Sequence, residues 1–91
     1  MVRLYTMKKC PFCDEMKKYF TEGGVEFKEV EVELNKNKLE FNKIVEISGA
    51  DSVPIIIVGK KILIPERSFK TIKEGYLLVK KLLNDSNTSE S

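Results

Sequence analysis

Ninety-one residues, 42% of them hydrophobic and 33% charged, suffice for one domain with a single core of modest depth. The 16 basic and 14 acidic residues leave a net charge of +2, which excludes a general electrostatic drive towards nucleic acid or a membrane surface. No apolar run approaches the roughly 18 residues of a membrane span, and Met1 leads straight into a β-forming stretch without a basic leader, so a cytoplasmic location is expected. A surface this charged also predicts a monomer.

Val2 to Thr6 is rich in β-formers and reads as a first strand. Lys8-Lys9-Cys10-Pro11-Phe12-Cys13 follows, and a helix is predicted from Pro11 to Phe20 with Cys10 as its N-cap. Proline suits the first helical position, because its φ is already helical and its missing N–H would have no intrahelical partner there. Phe12, Met16, Tyr19 and Phe20 give this helix an apolar stripe, and Gly23-Gly24 ends it. Val25 to Glu33 reads as a second strand with Val25, Phe27, Val30 and Val32 inward; the alternation slips after Phe27, which calls for a bulge or a twist.

A second helix is predicted from a cap at Asn35 or Asn37 to about Ser48, burying Leu39, Phe41, Ile44, Val45 and Ile47, with Gly49 closing it. Strand, helix, strand and helix imply parallel first and second strands. Ile55 to Val58 suits a strand covered on both faces, and Gly59-Lys60 turns the chain into an antiparallel partner at Lys61 to Ile64, stopped by Pro65. Phe69, Ile72, Tyr76, Val79 and Leu83 mark an amphipathic helix from about Ser68 to Leu83, in which Gly75 weakens the local propensity. The expected organisation is one domain over residues 1–83 and a disordered polar tail over 84–91.

The chemistry concentrates in Cys10 and Cys13, the only cysteines. Unpaired N–H groups and the helix dipole favour a negative sulfur at Cys10, with Lys8 and Lys9 adding to that field and Asp14 and Glu15 opposing it. Cysteines so placed in Cys-x-x-Cys motifs have pKa values of roughly 3.5–7.5, against about 8.5 for the free residue. Cys10 is therefore the candidate nucleophile, and Cys13, one turn on, the candidate resolving thiol. A structural disulfide closing so small a ring would constrain the unfolded chain little. A zinc site would need two further ligands from a chain with no other Cys and no His. A chance Cys-x-x-Cys remains a competing reading, and the βαβ pattern around the motif favours redox chemistry over it.

Cys10-Pro11-Phe12-Cys13, together with Ser48-Gly49-Ala50-Asp51-Ser52-Val53-Pro54, resembles the glutaredoxin family over roughly residues 1–83. The resemblance implies a thioredoxin-like α/β fold, β-α-β-α-β-β-α, with a mixed four-stranded sheet flanked by three helices. It implies thiol–disulfide exchange on protein disulfides or glutathione mixed disulfides, with no tightly bound cofactor and no metal, and with glutathione as electron donor. Lys8, Pro11, Phe12, Val53 and Pro54 become the candidate substrate- or glutathione-binding residues, Pro54 following a cis bond that brings Val53 beside the cysteines.

The chain departs from the family where glutathione's charged groups are usually held: Met7, Phe41 and Asp51 occupy those positions, and Ile64-Pro65-Glu66-Arg67 replaces the usual glycine pair. Lys8 and Arg67, the latter near a helix start, are the candidate substitutes. Three alternatives follow: a redoxin supplied by a flavoprotein reductase, a module that captures metal or an iron–sulfur cluster, and a redox sensor that docks partners on an apolar rim of Met7, Phe12 and Val53.

Overall fold

A computed structural model describes residues 2–50 and 52–90, with side-chain placement as far as residue 84. The elements run β1 (Val2–Thr6), α1 (Pro11–Glu22), β2 (Phe27–Glu31), a 3-10 turn (Asn35–Asn37), α2 (Lys38–Ser48), β3 (Ile55–Val58), β4 (Lys61–Leu63) and α3 (Ile72–Glu90). The strands form one mixed sheet in the order β2-β1-β3-β4, with β1 parallel to β2 and the other neighbours antiparallel. The elements follow one another as the thioredoxin-like fold requires.

Alternation along the strands builds two layers. Val2, Leu4, Ile56, Val58 and Leu63 face α1 and α3, where Met16, Phe20, Phe69, Ile72 and Val79 complete one core. Tyr5, Val30, Val32, Ile55 and Ile64 face the other way, over Ile44 of α2 and Ala50. The slip within β2 is thereby explained without a bulge. β2 pairs with β1 in an unbroken register from Val2↔Phe27 to Thr6↔Glu31. Phe27 packs edge-on against Phe20 on one face, while Val30 and Val32 belong to the other. An edge strand with an apolar contact on each side needs no single inward phase.

In α2 only Ile44 is fully buried; Leu39 is 78% and Ile47 76% exposed, against expectation. At about 100° per residue, Phe41, Ile44, Val45 and Ser48 make one stripe, with Ile47 at its flank and Leu39 on the opposite side. Asn37 is the N-cap residue, one of the two expected, but its side chain makes no capping bond to the helix: its amide donates instead to the Glu31 carbonyl at 2.8 Å. Gly49, at φ 74, closes it as expected, in a left-handed conformation that other residues adopt only at a cost.

The last helix begins at Ile72, not at Ser68, and continues to Glu90 past the expected end at Leu83. Its start is set by a capping pair. The Thr71 hydroxyl accepts from the Glu74 N–H at 3.1 Å, and the Glu74 carboxylate reaches back to the Lys70 N–H at 2.6 Å. Residues 64–69 form a tight loop, with Ser68 N–H on the Ile64 carbonyl at 3.0 Å and Glu66 N–H on the Phe69 carbonyl at 2.8 Å. At the other end the helix runs on past residue 84, into the segment read as a polar tail, which carries no proline or glycine to stop a helix already nucleated. Gly75 is where α3 closes on α1: an added Cβ would lie 3.0 Å from Met16 Cε and from the Phe69 ring.

Candidate active site

The site begins where β1 ends. Val32 N–H holds the Thr6 carbonyl at 2.8 Å, and the turn at Lys8 and Lys9 then swings the chain into α1. Lys9 has φ 55, a left-handed conformation uncommon for a residue with a Cβ. The Glu33 carboxylate accepts the Lys8 N–H at 2.8 Å and fixes that turn.

Cys10 is the N-cap, with extended backbone at φ −110 and ψ 100, and Pro11 follows at the first helical position. The Cys10 carbonyl takes the Asp14 N–H at 3.1 Å, and its sulfur accepts the Cys13 N–H, also at 3.1 Å. A sulfur that accepts from an otherwise unpaired helix N–H is better stabilised as an anion than as a thiol. Cys10 and Cys13 are joined as a disulfide with Cα atoms 5.2 Å apart. Cys10 is half-buried, whereas Cys13 is fully buried under the helix.

Val53–Pro54 is a cis peptide bond, as the resemblance implied. Phe12, Val53 and Pro54 line one cleft of about 380 Å³ together with Pro65, Phe69 and Ile72, and Glu15, Glu66 and Lys70 supply its charges. Phe12 is thus not part of the α1 core stripe: it is 61% exposed and turned to the cleft. Lys8 is exposed, engages only through its backbone and does not line the cleft.

Met7 faces a separate shallow depression with Val32, Glu33, Lys38, Phe41 and Asn42, so the rim expected from Met7, Phe12 and Val53 is split in two. Two of the departures from the glutathione-binding pattern, Met7 and Phe41, share that depression; Asp51 lies outside the described residues. Arg67 does not reach a helix start. Its guanidinium lies 3.5 Å from the Ser48 carbonyl at the negative end of α2, where a Cβ on Gly49 would be 3.3 Å away.

A charged network behind the motif had no sequence signal, because its members come from three elements. Thr6 donates to Glu29 Oε2 at 2.8 Å, and Lys17 reaches the same oxygen at 3.1 Å. The Thr6 hydroxyl, then Lys17, hold the Glu29 carboxyl below its usual range, and Glu29 raises Lys17. No group of three or more His, Cys, Asp or Glu among the described residues is arranged to hold a metal ion. No helix among them is long and apolar enough to cross a membrane.

A dithiol at the start of the first helix of a β-α-β-α-β-β-α sheet, beside a cis-proline, defines a thioredoxin-like redox protein with a redox-active disulfide. The sequence model of the glutaredoxin family matches residues 2–63, and the chain belongs to that family. Glutaredoxin 3 of Escherichia coli K12 is 33% identical over 57 residues, a stretch covering 63% of this chain and 66%, just under two thirds, of that protein. A crystal structure of a glutaredoxin from Archaeoglobus fulgidus superposes with a TM-score of 0.64 at 25% identity, covering 85% of this chain and 84% of that one. The glutaredoxin-like NrdH-redoxin of Escherichia coli shares the fold, with a TM-score of 0.59 at 21% identity over 79% of this chain and 90% of its own.

Proposed function

We propose that this protein is a dithiol oxidoreductase that reduces protein disulfides, with Cys10 as nucleophile and Cys13 as resolving thiol. The observation that carries the reading is the asymmetry of the pair: Cys10 caps the helix and is partly accessible, while Cys13 is sealed beneath it. The Cys10 thiolate attacks one sulfur of the target disulfide and expels the other as a thiolate. Cys13, deprotonated, then attacks Cys10 of the mixed disulfide. The target leaves with two electrons gained, and Cys10–Cys13 is left oxidised. The cleft beside Phe12, Val53 and Pro54 is where the target's chain would lie, with Val53 offering backbone groups to it.

Cys10→Ser is expected to abolish reduction of a model protein disulfide, and Cys13→Ser to accumulate a mixed disulfide visible by mass spectrometry. Turnover surviving in Cys10→Ser would sink the reading.

Two electron donors fit this chemistry: glutathione, the family's habit, and a flavoprotein reductase. The apolar Met7 and Phe41 beside Glu33 favour the second, since a depression of that character offers a glutathione carboxylate little. Oxidised protein presented in parallel to glutathione with its reductase, and to thioredoxin reductase with NADPH, separates the two. Fast reduction by the flavoprotein alone supports the second donor; fast reduction by glutathione removes it.

A further inference from the structure

The network behind the dithiol turn closes three elements on one carboxylate. Thr6 is a buried polar side chain, 1% exposed. Its hydroxyl holds Glu29 Oε2 at 2.8 Å, and that same oxygen lies 3.1 Å from Lys17 Nζ, which is also 3.4 Å from Asp14. Lys17 follows Cys13 by one helical turn, so the two side chains share a face, with Cβ atoms about 5–6 Å apart. The stretch from Thr6 to Lys17, which contains both cysteines, is thereby tied at each end to Glu29 of β2.

We propose that Glu29 sets the redox poise of the Cys10–Cys13 pair by neutralising Lys17, the cation one turn beyond Cys13. The inference rests on the thiol–disulfide reading above. A cation near the sulfurs stabilises thiolate, and stabilising the reduced form makes a dithiol more oxidising. The other charges around the turn are Lys8 and Lys9 before the motif, Asp14 and Glu15 on α1, Glu33 after β2, and Glu66 and Lys70 at the cleft. All of these are exposed, where solvent and salt screen them. Glu29 is exposed as well, but it lies in direct contact with the half-buried Lys17 at 3.1 Å, far inside a screening length. Glu29 is ionised and Lys17 protonated at neutral pH, each favoured by the other. The pair therefore presents little net charge to Cys13, and the dithiol is kept reducing.

Glu29→Gln is the direct test, because the amide keeps an acceptor oxygen for Thr6 and Lys17 and removes only the charge. The readouts are the Cys10 thiolate titration, followed by ultraviolet absorbance, and the equilibrium constant with glutathione. In that equilibrium two glutathione thiols are oxidised to one disulfide, while two electrons and two protons pass to Cys10–Cys13. With Lys17 unmasked, the Cys10 pKa is expected to fall by about half a unit. The equilibrium is expected to move roughly threefold towards the dithiol, about 14 mV at 29.6 mV per tenfold. Both shifts should shrink in high salt.

Lys17→Met should move both readouts the opposite way, because it leaves the Glu29 carboxylate unmatched, and adding Glu29→Gln to Lys17→Met should return them close to wild type, since the double variant, like the intact pair, carries no net charge there. Unchanged titration and equilibrium in Glu29→Gln, or a double variant that stays where Lys17→Met alone lies, would overturn the proposal. Neither readout requires turnover, so these outcomes are distinct from a wild-type protein that forms no mixed disulfide, which would overturn the functional reading instead.

Discussion

The two faces of the sheet are built differently. Over α1 and α3 the core is deep and aromatic: Phe20 meets Phe27 at 5.2 Å between centroids, Tyr19 stacks on Tyr76 at 5.3 Å, and Gly75 lets the two helices close. Over α2 the cover is thin. One residue of that helix is fully buried, and the contact is reinforced by a polar pin, in which the buried Tyr5 hydroxyl donates to Glu40 while Arg3 approaches the same carboxylate at 3.7 Å. The dithiol sits on the helix of the deep face, so the element that must hold a sulfur in place is the one with the most packing behind it. The thin face carries the depression at Met7 and Phe41, where the chain departs from its family.

Truncating the deep core should have the largest effect. Phe20→Ala, at a fully buried position, is expected to cost about 3–5 kcal/mol in chemical denaturation, and Ile44→Ala on the thin face nearer about 2 kcal/mol. Equal costs would mean the faces are energetically alike.

The polar pin should show itself in alkali. Burial, then the bond to Glu40, pushes the Tyr5 hydroxyl up to about 12 from 10.0. A raised folded pKa means that the contribution is intact below the unfolded value near 10. It is then lost as pH rises towards 12, at up to about 1.4 kcal/mol per pH unit. Tyr5→Phe should remove that alkaline slope, at a cost of about 1 kcal/mol at neutral pH for the lost hydrogen bond. A slope unchanged in Tyr5→Phe would assign it to another group.

The smallest effect is expected at the outer side of α2. Leu39→Lys with Ile47→Lys should leave stability within about 0.5 kcal/mol of wild type by thermal unfolding, since neither side chain is covered.

The succession of strands and helices, the Cys10 cap with Pro11 after it, and the cis bond before Pro54 were all legible from local signals or from the resemblance those signals carry. What escaped was whatever depends on a second element. The phase of β2 could not be settled while its strand was imagined with one buried face. The exposure of Leu39 and Ile47 follows from how wide a stripe a sheet can cover, which an apolar count along α2 does not state. The start of α3 was written in Thr71-Ile72-Lys73-Glu74, a local capping signal outcompeted by Phe69, whose burial belongs to the loop and not to the helix. Glu29 is twenty-three residues from Thr6 and twelve from Lys17, so no motif could join them.

The sheet has two outer strands, and both discourage addition of a further one. β4 is three residues long and opens with Lys61. β2 is longer and carries Lys28, Glu29 and Glu31. A second copy laid antiparallel about Glu29 would bring that carboxylate against its own counterpart, and a parallel copy in register would repeat the conflict at Lys28 and Glu31 as well. Like charges placed directly opposite destabilise a strand pair. The edge that supplies Glu29 to the dithiol's surroundings thus also guards the chain against edge-to-edge aggregation.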